Sequence, residues 1–197
     1  MKNEKDIGTR KFRVISADPP WKTGQTGARG ANRHYALMST AHIAAMPISD
    51  LAADHATLLL WVTSAGLQDG LDVMKAWGFS YRTTLVWDKR PALGLGNYFR
   101  NSHELLLHGV RGRAPFSFRG QSSVVSFPRM AHSVKPFEMA ALIERVLPEG
   151  PYLELFARRR PTSRADWSIW GLEAPGGSDI ELPGYPVPNQ ETERKVA

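Results

Sequence analysis

The stretch VISADPPWKT, residues 14–23, runs a short apolar segment straight into an acid, two prolines and a tryptophan. Proline lacks a backbone N–H, fixes its own φ and biases the residue before it toward extended geometry. Asp18 is therefore expected at the end of a strand, in a stiff loop that cannot turn into a helix. Such a loop presents groups instead of packing them. It offers the Asp18 carboxylate, the carbonyls of Pro19 and Pro20, and the indole face of Trp21. Acceptors beside a flat surface suit a planar ligand that carries an amine. Taken alone, Asp-Pro-Pro is as readily a turn, so the rest of the chain has to decide.

Outward from this loop, strand and helix patterns alternate. KFRVISA (11–17) and ATLLLWVT (56–63) are apolar runs rich in branched residues, as buried strands are. SAGLQDGLDVMKAWG (64–78) has helical spacing through Leu67, Leu71, Met74 and Trp77, with Gly78 as a cap. FSYRTTLVWDK (79–89) and SHELLLHGV (102–110) read as strands. KPFEMAALIERVLPEG (135–150) reads as a helix punctuated by proline at both ends. PYLELFAR (151–158) and DWSIWG (166–171) close the series as strands. The pattern predicts an α/β fold with a largely parallel sheet and a ligand crevice at the carboxyl ends of its strands, where DPPW falls. Long polar connections at 22–35, 89–101 and 111–133 are expected to be functional loops. Residues 1–173 read as one catalytic domain, and 174–197, rich in Pro and Gly, as an extended or mobile tail.

The 197 residues are 42% hydrophobic and 22% charged, enough for one sizeable core. No apolar run is long enough for a membrane span, and the opening MKNEKDIGTR is too polar for a signal peptide, so a cytoplasmic protein is expected. The absence of cysteine excludes disulfides, thiolate metal sites and cysteine nucleophiles. The net charge of +6 is unevenly placed: residues 174–197 hold four acidic and two basic side chains, which leaves +8 on residues 1–173. A polyanionic partner such as nucleic acid fits that excess.

The familiar enzyme signatures are missing. GQTGARG (24–30) lacks the Gly-Lys-Ser/Thr ending of a phosphate loop, the histidines show no metal-binding spacing, and there is no serine-hydrolase elbow. DPPW therefore stands as the chemical centre. An exocyclic adenine amine is a poor nucleophile because its lone pair is delocalised into the ring. It gains from acceptors that hold its two N–H bonds, a role open to Asp18 and the Pro19 carbonyl. Trp21 is placed to stack on the base.

The ordered set ADPPW (17–21), HYALMS (34–39), LLLWVT (58–63), LVWDK (85–89), GLGNYFRNSHELLLHGVRG (94–112), HSVKP (132–136), LELFAR (153–158) and DWSIWG (166–171) resembles the MT-A family of adenine N⁶-methyltransferases. The type member is the catalytic subunit of mRNA adenosine methyltransferase, and the likeness is strongest to bacterial and phage members. The resemblance implies a Rossmann-like S-adenosylmethionine-dependent methyltransferase fold in permuted order, with the catalytic DPPW before the cofactor strand. It implies that Lys135 pairs with the cofactor carboxylate, and that Glu154, Phe156 and Arg158 lie beside its ribose and methionine parts. Asp18 would serve both the cofactor's ammonium and the target amine. Asp6 and Ile7 would lie at the cofactor's adenine. Two departures mark this chain. RRP (159–161) replaces a His-Asn pair of some members, and Leu172-Glu173 replaces Asn-Gln, which makes Glu173 a candidate for the ribose hydroxyls.

For the nucleic-acid target the candidates are Lys22, Arg29, Arg33, His34, Tyr35, Asn97, Tyr98, Arg100 and Arg111, each with an alternative as a loop anchor or packing residue. Glu104 is expected to orient a neighbour in the site. The expectation is methyl transfer to adenine N⁶ in nucleic acid, DNA before RNA, with no metal. A homodimer, or a heterodimer with a methyltransferase-like subunit, is also open. The alternative is a catalytically silent nucleic-acid-binding subunit.

Overall fold

The computed structural model describes residues 10–22, 37–89, 98–113, 116–128 and 134–185. Its strands, in chain order, are β1 Phe12–Ala17, β2 Ala52–Val62, β3 Ser80–Asp88, β4 His103–Arg111, β5 Val124–Ser126, β6 Tyr152–Leu155 and β7 Trp167–Trp170. The helices are α1 Thr40–Ala44, α2 Ile48–Leu51, α3 Leu67–Ala76 and α4 Glu138–Val146, with a 3₁₀ turn at Ser64–Gly66 ahead of α3. The strands form one sheet in the order β5-β3-β4-β2-β1-β6-β7. All pairings are parallel except those of β4, which runs against both β2 and β3. A reversed strand needs no crossover, and only 14 residues separate Asp88 from His103.

Strand alternation explains the layers. On β2, Leu58, Leu60 and Val62 face one core with Ile43, Ile48, Val73 and Met74 from α1, α2 and α3, and with Trp77 just after α3. Leu59 and Trp61 face the other, with Met139, Leu142, Ile143 and Val146 of α4. The sheet is thus covered on both sides, which is why β1 and β2 read as continuous apolar runs. Gly70 lets α3 approach the sheet, since a Cβ there would stand 2.4 Å from Val62 Cγ1.

The expected elements are present with trimmed ends. The strand expected to reach Arg158 stops at Leu155, because Phe156 adopts φ +60° and turns the chain away. The helix expected from Lys135 starts at Glu138. Three elements were not expected. Helices α1 and α2 have only five and four residues, too few to show a period, although Ser39 caps α1 by accepting the His42 N–H at 3.2 Å. Strand β5, inside the supposed loop 111–133, has three residues and is defined by its pairing to Val86–Asp88.

Packing continues past Ala174. Ile180 and Leu182 are buried in the first core, and Asp179 accepts the Ile169 N–H at 2.9 Å while pairing with Arg160. Residues 174–185 therefore lie on the fold instead of trailing from it. No helix among the described residues is long and apolar enough to cross a membrane.

Candidate active site

Strand β1 has β2 on one side and β6 on the other, and the chain reaches those neighbours over opposite faces of the sheet. Such a reversal leaves a crevice outside the carboxyl ends of the two central strands. Asp18 follows β1 and Glu154 lies near the end of β6, with Ser16 opposite Glu154 in the register. The cleft there is lined by Asp18, Trp61, Lys135, Glu154, Phe156 and Arg159, among others.

Lys135 crosses from the segment before α4 and donates to both carboxylate oxygens of Asp18 at 2.7 Å. The same ammonium lies 3.2 Å from Glu104 Oε2, and Glu104 Oε1 accepts from Lys89 Nζ at 2.5 Å. Carboxylates and ammoniums alternate along this row, Asp18–Lys135–Glu104–Lys89. Its floor is aromatic: Lys135 sits 5.2 Å from the Trp61 ring, Lys89 5.4 Å from the Trp87 ring, and the two indoles meet edge to face. Burial would lower Lys135, but the adjoining Asp18 and Glu104 carboxylates outweigh it and hold the ammonium above its usual value. Burial works against the Glu104 charge, yet Lys135 and Lys89 keep its carboxyl below the usual range.

Among the described residues Glu154 forms no ion pair of this kind, although Arg159 and Lys135 lower its carboxyl from a distance. Burial pushes its carboxyl up to about 7, against a lowering hydrogen bond from Ser16, and the Asp18 charge adds to the rise. Phe156 follows in the left-handed region, packed edge to face on Trp170 at 5.4 Å. Such a conformation in a non-glycine residue costs about 1–2 kcal/mol and is concentrated at functional sites.

The DPPW loop is stiffer than its prolines alone make it. Trp21 donates its indole N–H to the Trp61 carbonyl at 2.9 Å and packs on the first core. The indole expected to stack therefore also clamps the loop to β2. The carbonyls are also less free than the sequence suggested: Pro19 O accepts the Trp21 N–H at 2.9 Å, and Pro20 O accepts the Met38 N–H at 2.8 Å. Lys22 N–H returns to Met38 O at 3.0 Å, so residues 20–22 and Met38 pair as a short parallel bridge.

The cleft gathers Asp18, Lys135, Glu154, Phe156 and Arg158 from the expected set. Lys22 is exposed beside the clamp. Glu173 is exposed beyond β7, outside the cleft lining. Tyr98 and Arg100 lie on the β3–β4 connection, at the same sheet end as Asp18, and Tyr98 is 96% exposed. Phe99, 93% exposed, joins them and was not expected. Arg111 is excluded from this neighbourhood: it ends the reversed strand β4, opposite Ala56, at the far end of the sheet, and donates to Ser49 O at 2.8 Å. Asp6, Ile7, Arg29, Arg33, His34, Tyr35 and Asn97 lie outside the described residues. No cluster of three or more metal-ligating side chains occurs among the described residues. Sequence reading also missed Trp61 and Arg159, whose signals, a buried strand tryptophan and one arginine in a run of three, are not distinctive.

Comparison with known proteins agrees with this architecture. The chain is 28% identical to the type II methyltransferase M.MunI of a Mycoplasma species, over 88% of this chain and 82% of that protein. It is 30% identical to the human N(6)-adenine-specific methyltransferase METTL4, over 83% of this chain but 38% of that protein. It is 28% identical to an MT-A70-like N(6)-adenosine-methyltransferase of Arabidopsis thaliana, over 86% of this chain and 24% of that protein. The MT-A70 family profile matches residues 12–173, so the central sheet, the DPPW loop and the Lys135 segment all fall within it. The mixed seven-stranded sheet is a Rossmann-like methyltransferase fold, and the chain belongs to the MT-A70 methyltransferase family.

Proposed function

We propose that this chain transfers the methyl group of S-adenosylmethionine to the exocyclic N⁶ of adenine in DNA. The observation that carries the reading is the Asp18 carboxylate, fixed against Lys135 at the mouth of the crevice between β1 and β6. The cleft residues fit the cofactor. A zwitterionic, sugar-bearing ligand needs carboxylates, a cation and apolar walls, and the lining supplies Asp18, Glu154, Arg158, Trp61 and Phe156. Burial works against the charge on Glu154, and the ribose hydroxyls would give it donors. When bound, S-adenosylmethionine supplies an electrophilic methyl group on its sulfonium.

The protein's own part is alignment. Burial raises the Asp18 carboxyl above its ordinary value and the bonded Lys135 ammonium opposes that rise; the ionised carboxylate keeps lone pairs on both its oxygens and accepts one hydrogen of the target amine. Pro19 O already holds the Trp21 N–H, but a carbonyl has a second lone pair and takes the other hydrogen. Two fixed acceptors orient the nitrogen lone pair, and orientation of this kind lowers a bimolecular barrier substantially. The N-methylated amine is a strong acid and loses its proton to water, so no dedicated base is needed. Tyr98, Phe99 and Lys22 at the rim form the surface for the strand around the target base.

DNA is favoured because the type II methyltransferase is matched over most of its own length. The relatives named as adenosine methyltransferases keep RNA as the competing polymer. The test is mass spectrometry of nucleosides from matched DNA and RNA pools incubated with the protein and cofactor. N⁶-methyladenine in DNA, absent with Asp18→Ala, is the expected result. Methylation that survives Asp18→Ala would refute the mechanism, and methylation of RNA alone would refute the choice of polymer.

A further inference from the structure

We infer that Arg159, and not Lys135, takes the carboxylate at the amino-acid end of the cofactor. This inference rests on the methyltransferase reading above. Lys135 Nζ has three donors and three acceptors around it, the two Asp18 oxygens at 2.7 Å and Glu104 Oε2 at 3.2 Å. To reach another anion it would have to abandon one of the carboxylates that hold it.

Arg159 lines the same cleft and is arranged differently. Its guanidinium lies 3.8 Å from the centroid of the Phe137 ring, so its plane is fixed by stacking. Nη2 donates to the carbonyls of Lys135 at 2.7 Å and Pro136 at 3.2 Å. Nη1 is buried and has no hydrogen-bond partner among the described residues. A charged donor left so is expensive, and a planar fork is the group that best matches a carboxylate. The carboxylates that bear on it electrostatically are Glu154 and Glu138, with Arg158 opposing, and neither carboxylate bonds Nη1. Helix α4 begins next to Phe137 with no side-chain cap, so its first N–H groups add positive potential on the same side.

The substitution of RRP for the pair seen in some family members thus has a physical reading. One arginine both braces the backbone that carries Lys135 and offers its remaining edge to the ligand. Lys135 is left to hold Asp18.

Because Arg159 also braces residues 135–136, loss of affinity in a mutant would not by itself separate the two roles. The experiment is titration calorimetry of the whole chain and its Arg159→Gln variant with two compounds. One is S-adenosylhomocysteine, and the other is its decarboxylated analogue, S-adenosylthiopropylamine, which keeps the amine and lacks only the carboxylate. The wild type is expected to prefer the carboxylate-bearing compound, and Arg159→Gln to lose about 10- to 100-fold in affinity for it while binding the analogue within about twofold. Equal losses for both compounds would show bracing alone and overturn the inference. Unchanged affinity for S-adenosylhomocysteine with weakened oligonucleotide retention would assign Arg159 to phosphate and also overturn it. If the wild type binds neither compound, the methyltransferase reading falls with it.

Discussion

Asp18 and Lys135, separated by 117 positions in sequence, are joined by two hydrogen bonds of 2.7 Å at the carboxyl edge of the sheet. Lys135 also neutralises Glu104 from the antiparallel strand β4. Replacing Lys135 with Met would strip Asp18 of its bonded cation and leave it beside Glu104, which would keep only Lys89. We expect Lys135→Met to cost roughly 3 kcal/mol of stability in urea unfolding, because breaking one side of a buried ion pair strands the other. The more exposed pair Arg13–Glu149 gives the comparison, and Arg13→Met should cost under about 1 kcal/mol.

Trp21 gives a way to separate clamping from stacking. Trp21→Phe keeps an aromatic face but removes the donor to the Trp61 carbonyl. A clamp predicts a loss of about 1–2 kcal/mol in thermal or urea unfolding, from the unpaired carbonyl. It also predicts slower methyl transfer with nearly unchanged affinity for S-adenosylhomocysteine, since Trp21 is not among the cleft-lining residues. Wild-type stability and rate in Trp21→Phe would refute the clamp.

Glu154 sets a pH dependence whose sign is fixed. Its carboxyl is raised from 4.5 to about 7 in the folded chain, so between those values the folded state binds more protons than the unfolded one. The stability contributed by the neutral form is fully present below pH 4.5 and is lost as pH rises through 7. Glu154→Gln should therefore be more stable than wild type at pH 8, by up to about 3 kcal/mol, and close to wild type at acidic pH. Urea unfolding of the two proteins at both pH values reads the difference directly. An equal effect at the two would refute the assignment.

Tyr98 and Phe99 are almost wholly exposed, so truncating them costs the fold little. The Tyr98→Ala, Phe99→Ala double variant should keep its unfolding midpoint while its affinity for a fluorescent oligonucleotide falls by about 10-fold or more, the scale of one lost base stack. Anisotropy titration at fixed low salt measures this. Undiminished affinity would remove the pair from the substrate surface.

The sequence by itself carried the order of strands and helices and the position of the acid-Pro-Pro-aromatic loop. Those are local matters: proline restricts φ, and a doubly covered strand must be apolar along its length, as in Leu58–Val62. It also supplied Glu154 and Lys135 through the likeness of LELFAR and HSVKP to family motifs. It could not give the short helices α1 and α2 or strand β5, which exist because neighbours pack or pair with them.

Tertiary structure decided which groups are partners. Reversal of β4 puts Glu104 beside Lys135 and sends Arg111 to the far end of the sheet, a sorting that strand direction governs and composition does not. That Trp21 also clamps its loop shows only when the Trp61 carbonyl, 40 positions away, takes its N–H. Arg159 is one arginine in the run 158–160 until Phe137 and two backbone carbonyls fix its plane. In each case the hydrogen-bonding capacity was written in the residue type, but its partner depended on a long-range contact that only the folded sheet brings about.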